Sequence, residues 1–332
     1  MDKIVFFGLG EIVRDAAVWC IDQGFSCVVV SRPEGAKKEA EEGVTWEQFS
    51  KRKGIGFIPC KSPEDIGRSA LGKRPLCFSI GAPWIFKASF LQQLGHDIYN
   101  LHGTHLPKNR GGTLFSWLIL TGQRTGMCLL HKLTPGIDEG PIVAWEEFLY
   151  PPTCRKPVDF IAEYHDQNVS FLRQFITRFA KEGISENALG QPPYLASYFP
   201  RLLSSVNGWM DWSWNVAELE RFVCAFDEPY GGVRTCWRGK IVVIKDTWAQ
   251  SMDGYTHPFQ AGLVYRHNKK WLHVAAKGGE LLICSIRDED GNDLLSQIKP
   301  GDRLYTTPQD IASSKNRVIK TAQGLTVQPD ID

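Results

Sequence analysis

Long hydrophobic runs are missing from this sequence. No apolar stretch approaches the about 20 residues that a membrane-spanning helix needs, so no membrane association is expected. Charge of one sign is equally scarce: 38 Lys and Arg stand against 37 Asp and Glu, a formal net charge of +1. A chain so balanced has no bulk attraction for nucleic acid, which leaves only a local basic face for that role. No Cys-x-x-Cys pair occurs. The nine cysteines (Cys20, Cys27, Cys60, Cys77, Cys128, Cys154, Cys224, Cys236 and Cys284) are scattered and odd in number. That pattern lacks zinc spacing and suits reduced, buried thiols. Met1-Asp2-Lys3 leads straight into an apolar run. No secretory leader is therefore expected, and a cytoplasmic protein is.

Also missing is a complete dinucleotide fingerprint. Gly8-Leu9-Gly10 follows the apolar run Ile4 to Phe7, but the third glycine position holds Val13. The second strand closes on Ser31-Arg32-Pro33, with no acidic residue for a ribose. A Rossmann-like fold without NAD is the expectation. An NAD-dependent reductase stays as a rival from another class.

What is present suits two domains, since 332 residues with 43% hydrophobic content can bury a core in each. Short continuous apolar runs read as strands buried on both faces at Ile4 to Phe7, Ser26 to Val30, Ile55 to Ile58 and Leu76 to Ile80. A helix-like segment covers Glu11 to Gln23, and a long amphipathic helix covers Lys156 to Gly183. Residues 33–54 are polar and charged, and predict a loop followed by a solvated helix. This pattern predicts an α/β fold: a mostly parallel Rossmann-like sheet with helices on both faces. Five short strand patterns follow from Val233 to Ile286 and suggest a small OB-like β-barrel. The expected division is a catalytic domain over 1–189, a linker over 190–205 and a C-terminal domain over 206–332.

The chemistry concentrates between Tyr99 and Ile142. Asn100 and His102 are two apart, so on a strand they share a face. His102 can exchange a proton near neutral pH. Asp138 can orient a histidine and favour its charged form. Asn100 can offer an amide N–H to a developing oxyanion.

NLHGTHLPKNRGG followed by GIDEGPIV resembles the signature of the 10-formyltetrahydrofolate-dependent formyltransferases, the methionyl-tRNA formyltransferase-like family. Within that family the chain is most similar to nucleotide-sugar N-formyltransferases such as the UDP-4-amino-4-deoxyarabinose formyltransferase domain. Met210-Asp211-Trp212 and Glu228-Pro229-Tyr230 match further family stretches, so the likeness covers nearly the whole chain. The resemblance implies Asn100, His102 and Asp138 as the catalytic residues. It implies N10-formyltetrahydrofolate as co-substrate, with no metal. Cofactor contacts are implied at Trp84, Ile85, Phe86, Arg110, Thr134, Pro135, Gly136 and Ile137. Trp84 and Phe86 read equally well as core, and Lys108 and Arg110 as surface charge. Gly112 stands where the aminoarabinose enzyme has Arg, and His105 where the family has Leu or Ser.

The acceptor implied is a nucleotide-linked amino sugar of cell-surface polysaccharide synthesis, with a possible homodimer. Residues 33–54 hold only a short, charge-balanced segment where methionyl-tRNA formyltransferase has a longer basic insertion. Methionyl-tRNA is the alternative acceptor. A folate-binding relative that is non-catalytic or hydrolytic is the alternative class.

Overall fold

The computed structural model describes residues 1–112, 114–183, 188–251, 256–321 and 324–329. They form two compact units. The first comprises Met1–Gly111, Thr125–Leu149 and Glu163–Phe199, and the second Gly112–Arg124, Tyr150–Ala162 and Pro200–Asp332.

The first unit is built on seven strands: β1 (Lys3–Phe7), β2 (Cys27–Ser31), β3 (Gly56–Pro59), β4 (Pro75–Ser79), β5 (Ile98–His102), β6 (Thr125–Lys132) and β7 (Ile142–Leu149). Their order across the sheet is β7-β6-β5-β4-β1-β2-β3. The strands from β3 to β5 pair in parallel, while β6 and β7 run antiparallel. The sequence dictates two cores. In the unbroken apolar run of β1, Ile4 and Phe6 enter one cluster while Val5 and Phe7 enter another. Alternate residues of a strand face opposite sides, so a run apolar on both needs cover on both. Helix α1 (Glu11–Asp22) buries Val13, Ala16, Ala17 and Cys20 on the first side. Phe171, Leu172, Phe175 and Ile176 of the long helix Pro157–Glu182 join them.

Residues 33–54 depart from the expected loop and solvated helix. A 3-10 turn (Pro33–Lys37) leads into a small hairpin (Glu39–Glu41 with Val44–Thr45), then α2 (Trp46–Lys53). Thr45 and Gln48 make a reciprocal capping box. Trp46 and Phe49 are three apart, so they share the inner face of α2 and are buried despite the polar surroundings.

The second unit carries a six-stranded antiparallel sheet. Its strands are β8 (Val233–Trp237), β9 (Lys240–Ser251), β10 (Val264–His267), β11 (Leu272–Ala276), β12 (Gly279–Asp288) and β13 (Leu304–Tyr305), ordered β10-β11-β12-β9-β8-β13. Backbone bonds from Val264 N to Asp302 O (2.9 Å) and Leu304 N to Gly262 O (2.8 Å) join its two edges. The sheet thereby curls into the OB-like barrel form that the strand spacing suggests. All nine cysteines are free, and eight of them are buried. Among the described residues no helix is long and apolar enough to cross a membrane.

The turn between β6 and β7 carries two glycines that face different constraints. A Cβ on Gly140 would meet the Lys132 carbonyl oxygen at 1.8 Å, and that oxygen belongs to the fixed backbone of β6. A Cβ on Gly136 would first meet the Glu139 carboxylate, at 2.0 Å, the movable end of a side chain. Gly140→Ala is therefore expected to lower unfolding stability by about 1–3 kcal/mol in urea, as overpacking does. Gly136→Ala should stay within about 0.5 kcal/mol. Equal losses at both positions would contradict this reading of the turn.

Candidate active site

The register of β5 creates the site. Asn100 and His102 lie on one face of this strand, at its C-terminal end. The antiparallel pairing of β5 with β6 sets Asn100 directly opposite His131. Directly opposed residues on neighbouring strands project to the same side of a sheet. Asn100, His102 and His131 therefore converge. His102 and His131 are both buried, and their rings meet edge to face with centroids 6.1 Å apart. The turn after β6 then returns Asp138 to the pair. Its carboxylate lies 3.9 Å from His102 Nδ1 and 3.6 Å from His131 Nε2. Asp138 sits in the left-handed backbone region (φ 50°), a conformation that Asp tolerates better than most side chains. The Gly111 N–H donates to Asp138 Oδ2 at 2.8 Å and fixes the carboxylate from the far side.

Hydrogen bonds to main-chain oxygens select the histidine tautomers. A carbonyl can only accept, so the 2.8 Å contact between His102 Nε2 and Asn109 O puts a proton on Nε2. His102 Nδ1 is then the basic nitrogen, and it faces Asp138. By the same argument His131 carries its proton on Nδ1, 3.0 Å from Lys132 O. His131 Nε2 is left to accept from Asn100 Nδ2 at 3.1 Å. That bond orients the Asn100 amide and uses one of its two N–H groups. Thr104, also buried, places Oγ1 2.9 Å from His102 Nε2 and completes the ring's surroundings.

Electrostatics follow from this packing. Burial lowers the pKa of His102 below its usual 6.5; the Asp138 charge and the Asn109 carbonyl oppose that shift without cancelling it. Burial alone would raise Asp138. The His131 contact, the His102 charge and the Gly111 N–H outweigh it, and the carboxyl is held below its usual range. His102 is therefore a neutral base at pH 7, beside an ionised carboxylate.

The cofactor positions expected from the resemblance divide into two kinds. Trp84 and Phe86 point their side chains into the second core, where Trp84 Nε1 donates to Lys61 O at 2.9 Å and Phe86 stacks on Phe90. Ile85 between them is 58% exposed, so this segment offers its main chain and one apolar side chain. In the other segment, Thr134 Oγ1 is buried with no hydrogen-bond partner among the described residues, and Ile137 is 60% exposed. Pro135 is exposed and Gly136 is half-buried beside it. Leu133 packs against the cluster that holds Trp84 and Phe86, so both segments border one side of the sheet. Arg110 is not a bare surface charge: its Nε and Nη2 both donate to Gln191 Oε1 (3.2 and 2.9 Å). His105 pairs with Glu147 at the surface, consistent with a filler of the loop. At Gly112 a Cβ would meet the Arg201 main chain at 2.6 Å, so the Arg of the aminoarabinose enzyme does not fit here.

Sequence reasoning missed two residues, His131 and Gln191. Gln191 Nε2 donates to Asp138 O (2.9 Å) and Gly140 O (2.7 Å), strapping the turn that carries the carboxylate. Its signal was absent, because Gln191 falls in a stretch read as linker. His131 ends an apolar strand, and only the β5–β6 register shows that it joins Asn100.

The pKa directions set a testable sign. In the unfolded chain a histidine takes up its proton at about pH 6.5. Folded His102 does so only at lower pH, so stability falls as pH drops through that value. An NMR titration of the His102 imidazole is expected to give a midpoint below 6.5. Asp138→Asn removes a charge that favours the imidazolium, so the midpoint should move lower still. An upward move would contradict this electrostatic balance.

Comparison with known proteins points to formyl transfer. Residues 203–297 match the family described as formyl transferase, C-terminal domain. The methionyl-tRNA formyltransferase of Dechloromonas aromatica is 26% identical over 304 residues, covering 88% of this chain and 93% of that one. The bifunctional polymyxin resistance protein of Wigglesworthia glossinidia brevipalpis is 25% identical across 95% of this chain, which spans 48% of that longer protein. Among solved structures, the N-formyltransferase from Helicobacter canadensis in complex with folinic acid and dTDP-3-aminofucose superposes with a TM-score of 0.65. It covers 86% of this chain and 99% of its own, and at 16% identity that likeness concerns the fold alone. The chain is thus similar to formyltransferases along most of its length, and these likenesses support an enzyme that transfers a formyl group.

Proposed function

We propose that this enzyme moves the formyl group of N10-formyltetrahydrofolate to the primary amine of a nucleotide-linked amino sugar. The observation that carries the chemistry is the convergence of Asn100, His102 and Asp138 at the end of β5. The folate-side residues suit such a group: the unpartnered Thr134 hydroxyl awaits a polar atom, and Ile85 and Ile137 offer apolar surface. Bound N10-formyltetrahydrofolate supplies an activated formyl carbon.

Asn100 donates its second amide N–H to the formyl oxygen as that oxygen gains charge. His131 holds the amide so that nitrogen, rather than oxygen, meets the substrate. His102 takes the proton that the amine loses when the new C–N bond forms, and Nδ1 is the atom that receives it. Asp138 stabilises the resulting imidazolium. The proton then goes to N10 as the old C–N bond breaks, so the cycle closes with His102 neutral. The first unit supplies this chemistry and extends through Phe199, so Gln191 belongs to it and not to a linker over 190–205; the barrel of the second unit suits structural or dimer contacts.

Two observations favour the sugar acceptor. The solved Helicobacter relative carries a dTDP-amino sugar. Residues 33–54 fold into a compact turn, hairpin and helix whose exposed lysines stand among at least as many glutamates, with Arg52 paired to Glu41, so the segment carries no net positive charge for an RNA. The Dechloromonas relative favours a second reading, in which the acceptor is methionyl-tRNA.

A panel of UDP-, dTDP- and GDP-linked amino sugars with methionyl-tRNA, assayed by tetrahydrofolate release, separates the two. Turnover with one nucleotide sugar is expected, and turnover with the tRNA alone would overturn the acceptor. With the active acceptor, Asn100→Ala should lower kcat by about 10²–10³-fold. His102→Ala should lower it by about 10²–10⁴-fold. A His102→Ala rate equal to that of the unsubstituted enzyme would overturn the mechanism.

A further inference from the structure

We propose that His102, His131 and Asp138 also form a chelating site for one divalent transition cation of the zinc class, and that the bound cation excludes catalysis. One donor atom from each of the three residues lies within 4.8 Å of the other two. Two imidazoles and a carboxylate are the donor set of three-ligand zinc sites, which keep a fourth position open.

The stronger argument concerns which nitrogens face inward. His102 spends its Nε2–H on Asn109 O, and His131 spends its Nδ1–H on Lys132 O. Both rings therefore turn an unprotonated nitrogen toward the same carboxylate. Among the described residues, two lone pairs and an anion share this space with the Asn100 amide at His131 and the Gly111 N–H at Asp138 as the polar hydrogens beside them. A cation placed between them is attracted by all three donors. Metal-ligating histidines characteristically donate their second nitrogen to a carbonyl or carboxylate, which fixes ring and tautomer. Both rings here are already fixed in that way, and Asp138 is fixed by the Gly111 N–H.

The distances need only a modest closure. Zinc bonds of about 2.0–2.1 Å put tetrahedral ligands about 3.3–3.4 Å apart. Asp138 Oδ2 lies 3.9 Å from His102 Nδ1, Oδ1 lies 3.6 Å from His131 Nε2, and one donor atom of each residue lies within 4.8 Å of the others, so rotation of the carboxylate and of both rings brings three donors onto one ion. The same two nitrogens do the work in both states. The cation would occupy the lone pair with which His102 takes a proton, and would displace the Asn100 amide from His131. The inhibitory half of the proposal rests on the mechanism above; the binding half rests on the geometry alone.

The test titrates the full-length protein with Zn2+ and with Co2+ as a spectroscopic probe, without folate or amine. One equivalent per chain is expected, with the intense visible absorption of tetrahedral Co2+ and no sulfur-to-cobalt band in the near ultraviolet. His131→Leu and Asp138→Asn should each weaken binding at least about tenfold, with circular dichroism confirming that both fold. Should either fail to fold, Zn2+-induced shifts of the His102 and His131 imidazole resonances in the unsubstituted protein read the same claim. Failure to retain Zn2+, unchanged affinity in both variants, or a sulfur band that moves the ion to cysteine would overturn the site. These readings stand even if no acceptor is formylated. Where transfer is measurable, Zn2+ should abolish it and EDTA restore it; a rate indifferent to bound zinc would overturn the exclusion.

Discussion

The pairing of β5 with β6 is the constraint on which the site depends. These two strands meet antiparallel, with Asn100 opposite His131. A slip by one residue would turn Asn100 and His102 to the other side of the sheet, because side chains alternate. The register is held from both flanks. Ser79 pairs with Asn100 on the β4 side, and β7 pairs along most of β6 on the other. The apolar alternation of these strands fills two cores at once, so register and burial are fixed together.

On that scaffold the polar groups balance one another. Burial favours the neutral form of His102 and would favour a neutral Asp138, yet the carboxylate stays ionised because two rings and the Gly111 N–H surround it. The price of assembling an anion and two imidazoles in a buried space is met by main-chain hydrogen bonds on their outer atoms. The result is a base that is neutral and ready, beside an anion that stabilises its charged form. The same lone pairs suit a divalent cation of the zinc class. Proton transfer and metal capture thus draw on one physical arrangement.

Much of this was legible in the sequence. The unbroken apolar run of β1 and the Gly8-Leu9-Gly10 turn marked the start of a parallel sheet, and Asn100 and His102 two apart marked one strand face. Three features stayed hidden. His131 looked like the end of an apolar strand, because pairing between strands leaves no local mark in either one. Gln191 looked like linker, although its side chain straps the Asp138 turn to Arg110. Trp46 and Phe49 were masked by the charges around them, and two residues three apart are too few for an unambiguous helical stripe. In each case the deciding information was a long-range contact that local propensity does not encode.

If His102 and Asp138 act as one proton-handling unit, their effects on the rate must be coupled. A double-substitution cycle of His102→Ala and Asp138→Asn, read by single-turnover formyl transfer, measures that coupling directly. The double variant is expected to be about as slow as the slower single variant, since residues that act together lose their function once. Losses that simply multiply would mean that the two act independently, and would contradict the mechanism derived from their geometry.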